Sequence, residues 1–139
     1  MNNDVYFEVE LDKTLMRKPS KILDSGQCFG FNYYIISFGS HPCSYVEIPN
    51  NHKLYNKKYM DIEDEIEAHG GLTYSCNKLY GVDDTGIKWF IGWDYGHAFD
   101  YQLIGRIDGK LIEREGHKWT LEELRQDVFD VCKQLREMY

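Results

Sequence analysis

The sequence predicts an α+β domain, a largely antiparallel sheet with one long C-terminal helix packed across it. Three observations carry this. Val5, Phe7, Val9 and Leu11 alternate with Tyr6, Glu8 and Glu10, the period-two signature of a half-buried strand. Turn residues at 83–86 (DDTG) and at Asp108 and Gly109 separate further strand-like runs. A T-x-x-E capping box at Thr120 and Glu123 opens a last segment whose apolar residues recur at spacings of three and four. Strands first and a helix last is the order of an α+β domain. A length of 139 residues suits one such domain spanning 1–139, with a core that needs no metal or disulfide.

In order, residues 5–11 predict the first strand. The following 13–27 stretch is basic and broken by Pro19 and Gly26, and reads as a loop or short helix. Residues 29–38 (FGFNYYIISF), rich in aromatic and β-branched side chains, and 43–48 (CSYVEI) predict a hairpin across the turn residues GSHP. A polar loop follows at 50–59. Ile62 and Ile66, four apart, allow one helical turn or two with Asp61, Glu63, Asp64, Glu65 and Glu67 on the outer face. Residues 72–82 and 87–95 predict a second hairpin. In its second arm Ile87, Trp89, Ile91, Trp93 and Tyr95 share one side of the pleat, and Lys88, Phe90, Gly92 and Asp94 the other. The gap at Gly92 suits a ligand or a close neighbour. Residues 102–114 predict a third hairpin. In the helix, Leu121, Leu124, Val128, Val131, Cys132, Leu135 and Met138 form the buried stripe, and Trp119 is placed to staple onto Leu124.

Composition narrows function. A net charge of -7 argues against a binder of the nucleic-acid backbone, which needs surplus Lys and Arg. The start lacks a basic and apolar leader and no run is long enough to span a bilayer, so a cytoplasmic protein is expected. Four cysteines in no CxxC pair then read as reduced thiols.

Chemistry-bearing residues concentrate at 68–101. His69, Gly70 and Gly71 lead into Thr73 and Tyr74; the two glycines serve either an anion-cradling backbone or a tight turn. They lack dinucleotide or P-loop spacing, so no cofactor is predicted. Asp94, His97 and Asp100, spaced by three, can set an imidazole tautomer and raise its basicity, bind a metal, or cap a turn. His41, Cys43, His52 and Cys76 are possible metal donors but make no second close couple, so no metal is predicted. No nucleophile signature is present.

The segments CSYVEIPNNHKLY, HGGLTYS and WFIGWDYGHAFD resemble the motifs C-x-YV-x-IP-x-x-H-x-LY, HGG-[LI]-TYS and W-x-x-G-[WF]-D-x-x-H-x-x-D. These belong to a family of small uncharacterised proteins of phage and prophage genomes. The resemblance covers about the middle half of the chain, with Phe99 standing where a small residue such as Gly is usual. It implies a setting in the host cytoplasm and, by analogy, a protein that counters host defence. Three uses follow. The first is a binder that holds a nucleotide-like ligand among His69, Gly70, Gly71, Thr73, Tyr74, Trp93, Asp94, His97 and Asp100. The second is an acidic inhibitor of a defence nuclease, anti-CRISPR in type, presenting the 61–67 carboxylates. The third is a small hydrolase with His69 or His97 as base, oriented by Asp94 or Asp100.

Overall fold

A computed structural model describes residues 5–8 and 20–139. The architecture is α+β. Strands β1 (Lys21–Cys28), β2 (Phe31–Ser37) and β3 (Pro42–Glu47) are followed by one helical turn, α1 (Tyr59–Ile62), and then by β4 (Tyr74–Cys76) and β5 (Phe90–Asp94). The separate hairpin of β6 (Gln102–Ile107) and β7 (Lys110–Arg114) precedes the helix α2 (Leu121–Arg136). The main sheet runs β1-β2-β3-β5-β4 with every neighbouring pair antiparallel.

The pleat gives this sheet two apolar faces. Ile35, Val46, Ile91, Trp93 and Tyr95 bury against Leu124, Val128, Val131, Cys132 and Leu135 of α2, so the predicted helical stripe is the one that packs. Ile36, Cys43, Tyr45 and Phe90 point the other way, into a second cluster with Leu79. The face of β5 predicted to hold a gap is therefore a core face. A Cβ on Gly92 would lie 2.8 Å from Tyr45 Cε1 and 2.9 Å from Ser44 O, so the gap is filled by the cross-strand tyrosine. Ile87, predicted on the buried side, is 74% exposed because the strand begins only at Phe90.

Two expectations need correction. The stretch read as loop or short helix contains β1. It is an edge strand in which Leu23, Asp24 and Cys28 are partly buried and the other residues exposed, so its apolar pattern is weak. A two-residue turn, Phe29 (φ 52) and Gly30 (φ 86), joins it to β2, with the left-handed angles that short hairpins demand. The strand predicted at 5–11 is not formed over 5–8, and 9–11 lie outside the described residues. Val5 instead buries in the core with its carbonyl accepting from Ser37 Oγ, and Tyr6 Oη accepts from Trp119 N–H at 3.1 Å.

His52, a metal candidate by type, is structural. Its Nδ1 accepts from Leu54 N–H at 3.1 Å, which leaves Nε2–H to donate to Leu135 O at 2.8 Å near the end of α2. The other end of α2 carries the predicted capping box: Glu123 N–H donates to Thr120 Oγ1 at 3.2 Å and Thr120 N–H to Glu123 Oε1 at 2.9 Å. Thr120→Ala is expected to destabilise the fold by about 1 kcal/mol in urea unfolding, with an unchanged m-value. A loss below about 0.3 kcal/mol would show that packing alone sets this terminus. Among the described residues no helix is long and apolar enough to cross a membrane.

Candidate functional site

The site forms where the loop before β4 meets the turn after β5, beside the start of α2. Gly70 (φ 68) and Gly71 (φ 85) both take left-handed angles, and Gly71 N–H donates to Ala68 O at 2.9 Å. The pair is thus a tight turn. Gly70 has a second constraint, because an added Cβ would overlap the His97 imidazole, with Cε1 at 3.0 Å and two further ring atoms closer. The HGG sequence therefore presents one histidine and makes room for the other.

The second loop is a turn from His97 to Asp100, closed by Asp100 N–H to His97 O at 3.0 Å. Its last residue is the organising group. The Asp100 side chain is only 3% exposed and accepts from three donors. These are His69 Nε2–H at 2.9 and 3.0 Å, Trp119 Nε1–H at 3.0 Å and His97 N–H at 3.0 Å. Burial alone would raise the pKa of this carboxyl, but the bonds from His69, Trp119 and His97 outweigh it and hold the group below the usual carboxylate range. Arg114 Nη2 ties the same turn by donating to His97 O at 2.7 Å and Asp100 O at 3.2 Å.

A carboxylate that accepts from Nε2–H selects the tautomer whose Nδ1 carries a lone pair. His69 is 25% exposed, and its Nδ1 has no partner among the described residues. The ring is held flat by Tyr95, stacked at 4.6 Å and 13°, and edge-on by Trp119 at 4.9 Å. Tyr95 in turn donates to Asp127 Oδ2 at 2.6 Å and accepts from Trp93 Nε1–H at 3.0 Å. Burial, then the Asp127 bond, pushes the Tyr95 phenol far above its ordinary pKa, so it stays neutral.

His97 stands beside this pair, its ring centroid 5.9 Å from that of His69. Its Nε2 lies 3.3 Å from Asp94 Oδ1 without the alignment of a hydrogen bond, and that buried nitrogen has no hydrogen-bond partner among the described residues. Asp94 is fixed by Thr73 Oγ1–H at 3.0 Å and Gly96 N–H at 2.9 Å. Two histidines, each backed by its own carboxylate, thus converge.

Seven of the nine predicted residues meet here: His69, Gly70, Gly71, Thr73, Asp94, His97 and Asp100. Trp93 does not, being 1% exposed in the core, where it touches the site only through Tyr95. Tyr74 does not either. It packs edge-on against Tyr45 at 5.1 Å in the second core cluster, its phenol bonded to Lys78 O, in the wall of a separate concavity of about 650 Å³. Trp119, Tyr95, Asp127 and Arg114 were missed as site residues. Trp119 was visible as a lone indole beside a helix cap, but its bond to Asp100 spans 19 positions.

The surroundings are acidic. His69 borders a shallow cleft of about 300 Å³ whose wall includes Glu67, Asp127, Asp130 and Gln134. The five carboxylates of 61–67 are all exposed. Lys88, six residues before Asp94, is turned to Glu47 and Asp83 at 3.6 and 3.9 Å. Among the described residues no group of three or more His, Cys, Asp or Glu side chains is placed to hold a metal ion. Set against family models, curated proteins and solved structures, the chain matches none.

Proposed function

We propose that this chain is a small phage-type binding protein, a host-defence antagonist that sequesters a nucleotide-like ligand on the His69–His97 pair. The observation that supports the reading is the buried Asp100 carboxylate, which fixes His69 as a partly exposed acceptor beside a second imidazole that has its own carboxylate neighbour. Ring stacking of the ligand by Trp93 or Tyr74 has no part in it, since both lie elsewhere.

Thermal unfolding in the presence of nucleosides, nucleotides and cyclic dinucleotides tests this. A true ligand at about 100 times its Kd adds roughly 2.7 kcal/mol of stability by mass action, which should appear in wild type and vanish in His69→Ala and His97→Ala. If no compound of the set moves the wild-type midpoint, the nucleotide-like ligand is wrong.

The His69–Asp100 geometry also favours a second reading, a hydrolase in which His69 Nδ1 takes a proton from water. In that case His69→Ala should lower turnover by about 10² to 10⁴ while ligand still binds.

A further inference from the structure

Phe99 sits at the third position of the turn that begins at His97 and ends at Asp100, with φ 74 and 89% of its surface exposed. Each fact is unfavourable for the isolated chain. Left-handed angles at a turn's third position suit glycine, and a bulky residue there is a genuine outlier. An exposed phenylalanine gains nothing from burial to offset that strain. The backbone around it leaves no alternative angle: His117 N–H donates to Phe99 O at 2.8 Å, and the next residue is locked by the three donors on its carboxylate. Strain held in place by its surroundings, in the turn whose two ends are the site residues His97 and Asp100, points to use outside the chain itself.

The polar groups of the site state what kind of molecule fits. His69 Nδ1 offers a lone pair, and Asp94, 27% exposed on its side chain, offers carboxylate oxygens. The guanidinium nearest the pair, Arg114, already donates to two backbone carbonyls. The site is rich in acceptors and has no spare cation among these groups, so an anionic phosphate would meet carboxylates on entry.

We infer that the ligand presents a planar, N–H-donating group, such as an aminopurine edge or an amidinium, to His69 and Asp94, and that Phe99 covers its apolar face as a specificity-determining residue. This rests on the binding reading above and narrows it: a nucleotide-like molecule would be held by its base, with any phosphate directed away. An aromatic ring over a planar ligand adds contact without adding charge.

The test uses the whole chain and three probes, adenine, benzamidine and inorganic phosphate, followed through the imidazole Cε1–Hε1 NMR signals of His69 and His97. Adenine or benzamidine should move both signals saturably, phosphate should not, and Phe99→Gly should weaken the effective probe at least fivefold. The same variant should melt no lower than wild type, because glycine accepts the turn angle, and its unliganded histidine signals should stay in place. Equal affinity in Phe99→Gly would overturn the assignment of Phe99 alone. Tighter binding of phosphate than of either donor would overturn the ligand class. Silence of both histidines toward all three probes would overturn the binding site itself.

Discussion

Asp100→Ala is expected to cost roughly 3 kcal/mol and to lower the melting temperature by on the order of 10 °C. The side chain is nearly inaccessible, and its removal strands the N–H groups of His69, Trp119 and His97, which water reaches poorly. Asp100→Asn keeps the shape but brings two hydrogens of its own. Its amide nitrogen must confront either the Trp119 indole or the His97 amide, and it can donate to His69 Nε2 only if the imidazole proton moves to Nδ1. The variant should therefore lose less stability than alanine but reverse the His69 tautomer, which imidazole ¹⁵N shifts report directly. Such a reversal should abolish ligand binding or turnover even in molecules that remain folded.

The pH dependence has a definite sign. Because hydrogen bonds hold the folded-state pKa of Asp100 below its unfolded value of about 3.9, the group stabilises the fold fully above that pH. The contribution is lost as pH falls through the lower folded pKa. Urea midpoints of wild type and Asp100→Ala measured from pH 7 to pH 2.5 should stand apart at neutrality and approach each other only below about pH 4. A constant gap would show that the ionised carboxylate adds nothing over the neutral one, and a neutral-pH difference under about 0.5 kcal/mol that the side chain organises nothing.

Gly116→Ala is the second large effect, at roughly 3–4 kcal/mol. An added Cβ would lie 2.5 Å from Tyr101 N and 2.6 Å from Phe99 O, and closer still to the carbonyl carbon of Asp100. All three are backbone atoms, so no side-chain rotation relieves the overlap. The 99–101 and 116–117 segments must separate, breaking His117 N–H to Phe99 O at 2.8 Å and Tyr101 N–H to His117 O at 3.0 Å. Gly71→Ala is the control: open space surrounds its Cβ, so only the left-handed angle (φ 85) is penalised, at about 1 kcal/mol. Comparable losses for the two variants in urea unfolding would refute the steric account.

How far the sequence could be read depended on how local each determinant was. The capping box at Thr120 and Glu123 spans four residues, and the Asp108–Gly109 turn two, with φ 51 and 79. Both were legible because one short segment carries the whole signal. The edge strand Lys21–Cys28 was not, since alternation reports burial and most of that strand faces solvent. Trp93 could have been excluded from the site at the outset: it shares parity with Ile91 and Tyr95, which marked the core face of β5.

By itself the sequence determined the fold class, the helix with its cap and stripe, and the two loops in which the chemistry lies. Spacing suggested an Asp94, His97 and Asp100 trio. Only the tertiary structure assigned the pairs, giving Asp100 to His69 across 31 positions and leaving Asp94 to His97. It alone brought Trp119, Tyr95 and Asp127 to the same place. Periodicity and turn chemistry act over a few residues, whereas the partner of a buried carboxylate is set by how a sheet edge and a helix end come together in space.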